Sequence, residues 1–271
     1  MYSRRQRANR QPVFLDRLSC ELRREFDEIA PVYARVRPAS EAVLQTLHTF
    51  LLSHKGMTVL EIGCGTGNYA IALTSTDASI WGVDFSLGML AVARRRGKGR
   101  RVTWVCGHAE QLPFRDASFD FVFNVDLVHL VAQRRTMFIE ALRVLRYGGV
   151  LCTVTKKHEH IRRRLLARYF PSITRVNTER FPHLWEITRV LRKVGFHRIT
   201  WSTVTHEIPV TPAYLESVRW KTDSVLRRIP EREFREGLAA FERDAKSGTL
   251  LRQSARVFIW AHAPGQCGST L

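Results

Sequence analysis

The stretch from Met57 to Asn68, MTVLEIGCGTGN, limits the possible folds of this chain more than any other segment. An apolar run comes first, and three glycines follow at alternate positions, Gly63, Gly65 and Gly67. A buried strand that runs into a tight turn and then into a helix has this pattern. Glycine accepts the unusual backbone angles of such a turn and lets a ligand approach without a Cβ in the way. The stretch therefore predicts a ligand-binding turn.

A second apolar run, IWGVD, ends in an acid at Asp84, which lies 23 positions after Glu61. In dinucleotide-binding folds a carboxylate at about this distance meets the ribose hydroxyls. The glycine spacing differs from the dinucleotide fingerprint, because the third glycine comes one residue early. We therefore expect Asp84 to bind a ribose, and the alternative is an N-cap for the helix that begins near Ser86.

Strand-like and helix-like segments alternate along the chain. Strands are predicted over residues 57 to 62, 80 to 84, 102 to 106, 119 to 125, 150 to 155, 197 to 204 and 255 to 261. Helices are predicted over residues 20 to 34, 40 to 52, 68 to 73, 87 to 96, 133 to 145 and 183 to 194, with two more between 211 and 247. The segment around Pro171 and Pro182 is predicted to be a loop. This alternation predicts a parallel sheet with helices on both faces and a ligand at the carboxyl ends of its strands.

Five motifs resemble, in order, those of the class I S-adenosylmethionine (SAM)-dependent methyltransferases, in the type 11 and ubiquinone or menaquinone group. They are EIGCGTG at 61 to 67, VDFS at 83 to 86, GHAEQLPF at 107 to 114, SFDFV at 118 to 122 and RVLRYGG at 143 to 149. FDEIAPVYARVRP at 26 to 38 is a weaker match. The resemblance covers about residues 57 to 155 and leaves the C-terminal third unassigned.

The resemblance implies an α/β, Rossmann-like, seven-stranded and mostly parallel sheet with helices on both faces, an antiparallel last strand and a helical cap insertion. It also implies SAM as the cofactor and S-adenosyl-L-homocysteine (SAH) as the product. The expected organisation is a basic tail at 1 to 12, a helical segment over the cofactor at 13 to 56, a methyltransferase domain at 57 to 262 with a helical insertion at about 205 to 252, and a tail at 263 to 271.

Each part of SAM needs a different partner. The amides of the glycine turn, with the helix N-terminus behind them, suit the carboxylate end of the cofactor. Glu61 is expected to accept hydrogen bonds from the turn or from the amino group of the ligand. His108 stands where relatives carry an aspartate that holds the adenine, and a neutral imidazole offers one acceptor nitrogen. In relatives the entry segment lies across the cofactor, so Tyr33 and Arg37 are candidates to cover its methionine end, and the alternatives are a packing aromatic and a solvated charge.

The complete predicted cofactor site is Tyr33, Arg37, Glu61, Gly63, Cys64, Gly65, Gly67, Asp84, Phe85, Met89, His108, Ala109, Glu110, Asn124, Val125 and His129.

The catalytic prediction is limited to one residue. His129 is a candidate general base if the acceptor is a hydroxyl, and the alternative is a packed histidine between apolar neighbours. In-line methyl transfer depends chiefly on alignment of the reactants, which can contribute roughly 7 to 11 kcal/mol. The Asn/Asp-Pro-Pro-aromatic signature of methyltransferases acting on adenine or glutamine amino groups is absent from residues 124 to 127. No metal site is predicted, because no second group of ligands accompanies His158, Glu159 and His160.

The chain is strongly basic, with 43 basic and 25 acidic residues and a formal net charge of +18. Such a charge attracts nucleic acids, anionic membrane surfaces or acidic small molecules. The basic residues are dispersed along the chain, however, and no RNA-binding module is recognisable. The inserted helical cap and the habits of the family that the chain resembles imply a small, apolar or aromatic acceptor, with the transferred methyl going to oxygen, nitrogen or carbon. The alternatives are an RNA-modifying methyltransferase and a SAM-binding protein without catalysis, and the oligomeric state stays open.

Five scattered cysteines without a C-x-x-C pair suggest neither a zinc site nor a disulfide framework. No apolar run approaches the roughly 20 residues of a membrane span, and the arginine-rich start lacks the apolar core of a signal peptide. These features predict a cytoplasmic protein with no membrane span.

Overall fold

The computed structural model describes residues 17 to 265. Its strands are β1 (Thr58–Ile62), β2 (Ser79–Asp84), β3 (Val102–Cys106), β4 (Phe119–Val125), β5 (Leu145–Thr155), β6 (His197–Pro209) and β7 (Leu251–His262). Its α-helices are α1 (Arg17–Val36), α2 (Glu41–Leu52), α3 (Asn68–Leu73), α4 (Leu87–Arg96), α5 (Arg134–Val144), α6 (His158–Arg162), α7 (Ser172–Arg180), α8 (Leu184–Val194), α9 (Pro212–Arg219) and α10 (Glu231–Ala245). The predicted basic tail at 1 to 12 lies outside the described residues, as does most of the tail at 263 to 271.

The seven strands form one sheet in the order β3-β2-β1-β4-β5-β7-β6. The first five strands pair in parallel, and β7 runs antiparallel to both β5 and β6. The predicted fold class is therefore confirmed, including the antiparallel last strand. The strand order reverses between β1 and β4, and in open α/β sheets the crevice at such a reversal is where ligands bind.

Both faces of the central strands β1 and β4 are covered, which explains their almost continuous apolar runs. Neighbouring strand residues point to opposite faces. Leu60 packs in a cluster with α5 and α8, whereas Val59 packs with α2 and α3 on the other face. These two clusters hold β1 and β4 rigidly in place, and with them the glycine turn at the end of β1.

A third apolar cluster lies apart from the sheet and forms a helical cap. One part of it comes from the predicted insertion between β6 and β7, which contains α9 and α10. The other part comes from residues 165 to 176, where the loop prediction is wrong. Helix α7 forms there because Pro171 stands at its N-cap and Ile173 is fully buried in the cap. Its otherwise polar sequence has no helical periodicity, so only the cap partner reveals it.

The last two strands are longer than predicted. Their paired outer ends project beyond the sheet as an antiparallel two-stranded ribbon, which we call the hairpin although the cap insertion joins its strands. The pairing of β5 with β7 ends at Thr155 and Val257, whereas β6 and β7 stay paired as far as Pro209 and Leu251. Residues 251 to 256 of β7 therefore lie past the end of β5, at the carboxyl edge of the parallel strands. The prediction ended too early because the projecting segments are polar.

Candidate functional site

The glycine turn leaves open space beside its backbone, and several of its amides are bonded within the protein. Gly63, Gly65 and Gly67 all have positive φ angles, of 72°, 52° and 77°. The amides of Gly63 and Cys64 donate to the Val83 carbonyl at 2.8 and 3.1 Å, and that of Gly67 donates to the Cys64 carbonyl at 2.9 Å. These three amides are therefore bonded within the protein. A Cβ added at Gly65 would have nothing within 4 Å, so the backbone is open to a ligand at that point.

Asp84 lies at the end of β2, with 8% of its surface exposed. Its Oδ2 accepts from the Gly65 amide at 2.8 Å and its Oδ1 from the Ser86 amide at 2.9 Å. Burial raises the pKa of this carboxyl to about 6, although these hydrogen bonds act in the opposite direction. Ser86 is the N-cap of α4, because its side chain accepts from the Met89 amide at 3.0 Å. The N-cap alternative for Asp84 is therefore wrong, and each of its oxygens can accept a further hydrogen bond.

A cleft runs along the carboxyl ends of β1, β2 and β4, with about 910 Å³ of space between the atoms, open mouth included. The predicted site residues that line it are Tyr33, Gly63, Gly65, Asp84, Phe85, Met89, His108, Ala109, Glu110 and Val125. Phe26, Leu127 and Leu130 also line the cleft and were not predicted. Asp126 lines it as well, at the end of β4, where the sequence indicates that the acceptor meets the methyl group.

Helix α1 forms one wall of the cleft and is held by Asp27, which sequence reasoning missed. Its Oδ1 accepts from the Ser86 hydroxyl at 2.6 Å and from the Gly88 amide at 2.7 Å, at the start of α4. A Cβ at Gly88 would lie 2.8 Å from the Asp27 Cα, so the two helices touch closely. The neighbouring Phe26 packs edge-on against Phe85, with ring centroids 6.3 Å apart. In the sequence, Asp27 is marked only as an acidic residue directly after the apolar position Phe26, which does not indicate its contact with α4.

The adenine end of the predicted site is lined by residues 107 to 110. His108 contacts the edge of Phe85, with ring centroids 5.6 Å apart. Burial lowers the pKa of His108, the nearby Glu110 raises it and Arg23 lowers it further. The net lowering favours the neutral imidazole, which keeps one acceptor nitrogen as the sequence suggested.

Six of the predicted residues do not line the cleft: Arg37, Glu61, Cys64, Gly67, Asn124 and His129. Glu61 is buried, and its Oε2 accepts from the Ala70 amide at 2.9 Å inside helix α3. The Nδ2 of Asn124 donates to the Thr153 hydroxyl at 3.1 Å. A Cβ at Gly67 would lie 2.5 Å from Trp104, so this glycine is required by packing. These side chains support the elements of the site from behind.

His129 does not line the cleft. Its ring stacks on Phe181, with centroids 3.9 Å apart and planes 10° apart. Burial and the charge of Lys156 lower its pKa to about 3, and Asp126 only partly offsets them. A neutral imidazole with so low a pKa is a weak base at neutral pH. The geometry therefore argues against the general-base interpretation.

A second cavity adjoins the cleft and shares three of its lining residues, Tyr33, Val125 and Asp126. Asp126 lies directly after β4 with a positive φ of 51°. Its carboxylate contacts Lys156 at 2.9 Å and Arg256 at 3.3 Å. Burial raises its pKa, but these two cations outweigh burial and hold it well below its usual range. Asp126 thus keeps a negative charge where the two spaces meet.

Comparison with known proteins identifies relatives of the part of the chain that carries the cleft. A family model described as a methyltransferase domain matches residues 60–153. A demethylmenaquinone methyltransferase of Tropheryma whipplei is 29% identical over 69% of this chain and 88% of its own length. The biotin biosynthesis bifunctional protein BioHC of Cellvibrio japonicus is 34% identical over 46% of this chain, which spans only 25% of that relative.

Solved structures show the same fold. A putative methyltransferase from an antibiotic biosynthesis pathway of Anabaena variabilis has a TM-score of 0.68 at 22% identity, over 84% of this chain and 99% of its own. A phosphoethanolamine N-methyltransferase of Haemonchus contortus, solved with SAH, has a TM-score of 0.56 at 21% identity, over 88% of this chain and 57% of its own.

These likenesses support a class I SAM-dependent methyltransferase, with SAM as its cofactor. Within residues 17 to 265, no helix is both long and apolar enough to cross a membrane.

Proposed function

We propose that this enzyme transfers the methyl group of SAM to a small-molecule acceptor by in-line displacement. The observation that carries the proposal is the junction at Tyr33, Val125 and Asp126, where the cleft meets the second cavity. Two molecules bound in these adjacent spaces would be held end to end at the junction. In-line displacement requires such an arrangement of donor and acceptor.

The residues of the cleft fit SAM. Asp84 has spare acceptor capacity beside the open backbone of Gly65, which suits a pair of ribose hydroxyls. Phe85 and Met89 offer apolar walls on the side of His108, where a purine base would pack. SAM, when bound, supplies an electrophilic methyl group on a sulfonium ion. The roles of the residues in this chain are to bind, to orient and to exclude water.

The second cavity lies between the sheet and the cap, which favours a small acceptor over a polymer. Tyr214 of α9 and Ile208 of β6 line it together with residues of α1. No histidine of the cleft or of the junction is placed as a strong base. We therefore propose that alignment of the reactants, with little help from proton transfer, accounts for most of the rate enhancement.

The test uses SAM with a labelled methyl group, offered to the protein with either a low-molecular-weight bacterial extract or total bacterial RNA. We expect label in the small-molecule fraction together with SAH formation, and loss of both in the Asp84→Ala variant. Label that appeared only in the RNA fraction would contradict the proposal.

A further inference from the structure

The second cavity continues into a smaller pocket under the cap, and together the two form a space that we call the arginine cavity. Its cationic lining residues are Arg37, Lys156, Arg164, Arg252 and Arg256. Asp126 and Asp223 are the two largely buried carboxylates in its lining. Glu41 and Glu207 line the mouth, but both are exposed and neither contacts one of these cations.

Three of the five cations have carboxylate partners. Asp126 bridges Lys156 and Arg256, and Asp223 pairs with Arg164. These ion pairs connect the sheet, the hairpin and the cap, so Lys156, Arg164 and Arg256 each have a structural role. Both carboxylates thus already have ion-pair partners, and they act on Arg37 only at longer range, where their charges raise its pKa.

Arg37 and Arg252 have no carboxylate within ion-pair distance among residues 17 to 265. Arg252 packs its guanidinium over Tyr214 at 4.1 Å, and Arg37 lies over Tyr33 at 5.7 Å. The Nε atom of Arg252 is buried without a hydrogen bond. A largely buried cation without a partner is costly. Burial lowers the pKa of Arg252, Tyr214 raises it, and the neighbouring Arg37 and Arg256 lower it further.

The projecting hairpin explains how these groups come together. Alternate strand residues share a face, so Arg252, Ser254 and Arg256 of β7 line the same cavity. Arg37 reaches this cavity from the end of α1, beside Tyr33 at the junction with the cleft. A planar guanidinium with free donors matches a carboxylate or a phosphate in two-pronged geometry.

We infer that the acceptor carries an anionic group, a carboxylate or a phosphate, that binds Arg37 and Arg252 in the arginine cavity. This inference rests on the proposed function, because it treats the arginine cavity as the acceptor site. An anion held there leaves the remainder of the acceptor directed toward Tyr33 and Asp126, where the methyl group would arrive. The substrate class is therefore a small anionic metabolite.

The experiment is a calorimetric titration of SAH-saturated protein at constant ionic strength, with inorganic phosphate in one arm and succinate in the other. We expect at least one anion to bind, and the tighter one to identify the acceptor as phosphorylated or carboxylated. Arg252→Gln should weaken this binding tenfold or more. The matched control is Arg189→Gln, which removes an exposed charge from α8 and should change nothing.

The affinity of Arg252→Gln for SAH serves as the check on folding and should match that of the unmodified protein. Absence of binding by both anions, or equal binding by Arg252→Gln and the unmodified protein, would overturn the inference. The proposed function would survive that result if labelled methyl still reached an uncharged small molecule. Conversely, Arg252-dependent anion binding without methyl transfer to the small-molecule fraction would refute the proposed function and leave the anion site in place.

Discussion

The cofactor cleft and the arginine cavity share a boundary, but they differ in whether their polar groups have partners within the protein. In the cleft, the turn amides and both oxygens of Asp84 are hydrogen-bonded to the protein, and aromatic and apolar side chains form most of the walls. In the arginine cavity, neither Arg37 nor Arg252 forms an ion pair with a carboxylate of the described chain. The polar groups of the cleft are already hydrogen-bonded within the protein, whereas an anionic ligand would give the arginines of the cavity an ion-pair partner.

The two regions also differ in how the chain builds them. The glycine turn and Asp84 come from adjacent strands within residues 58 to 84. The arginine cavity combines the end of α1 with the hairpin near the C-terminus, so it exists only after the whole domain has folded. The cleft is thus built largely by a local motif, whereas the arginine cavity depends on contacts between distant parts of the chain.

The largest effect that separates the two regions is expected from Asp84→Ala. Loss of hydrogen bonds to a charged group costs about 1.5 to 3 kcal/mol each, so the dissociation constant for SAH should rise on the order of 100-fold. Binding of succinate in the arginine cavity should persist, since Asp84 does not line it. Calorimetry with both ligands is the measurement, and Asp84→Asn is the milder companion variant. Unchanged SAH affinity would remove Asp84 from the site.

Replacement of Glu61 tests whether it supports the cleft or contacts the cofactor. Glu61→Ala leaves the buried Ala70 amide without its acceptor, which should lower the free energy of unfolding by about 1 to 3 kcal/mol. Glu61→Gln keeps an acceptor oxygen and should lose much less. Denaturant unfolding measures both variants. If Glu61→Gln were stable but lost SAH binding, the ligand-contact interpretation would be favoured over the supporting role.

Acid should weaken the cleft and spare the cavity. The pKa of Asp84 is raised to about 6, and only the ionised carboxylate can accept from two hydroxyls. As the pH falls from 7 to 5, the carboxylate becomes protonated and the SAH dissociation constant should rise by roughly tenfold. Asp84→Asn should largely abolish this dependence. The affinity of the arginine cavity for an anion, measured here with sulfate as the probe, should change little. Guanidinium stays charged, and the pKa of Asp126 is held well below its usual range.

The smallest effect is expected at the adenine end. His108→Asp introduces the carboxylate that relatives carry, in a position where Glu110 opposes it and Arg23 favours it. The opposing charges should leave the affinity for SAH equal or up to about threefold tighter, roughly 0.6 kcal/mol at most. Phe85→Ala removes the aromatic partner of His108 and should weaken the binding of SAH, so it serves as the comparison. A collapse of binding in His108→Asp would assign this histidine a further role.

The sequence predicted the cleft better than the cavity for a physical reason. Glycines with positive φ and an acid at the end of a strand are local requirements, and the positions of Gly63, Gly65 and Asp84 at the cleft were foreseen. The interior roles of Glu61 and His129 depend on α3 and on Phe181, which no local pattern reveals. Arg37 was predicted to cover the cofactor, and the structure places it in the neighbouring cavity instead.

The cap was the least predictable part. Its core unites residues on either side of α8 and β6, and periodicity within one segment cannot show such a union. Helix α7 was missed for this reason, and the hairpin was predicted too short because polar residues extend it. Positions 252 and 256 look like ordinary surface arginines until the pairing of β6 with β7 is known.

The split origin of the cap has a consequence for the order in which the protein matures during synthesis. Leu166, Phe170 and Ile173 leave the ribosome well before Phe234 and Phe241, the aromatic residues that cover them. Until α10 has been synthesised and β7 has joined the sheet, these apolar side chains stay exposed to solvent. Such contacts between distant positions form late and leave sticky surface exposed in the meantime. The growing chain is therefore most vulnerable to aggregation just before its last strand is completed.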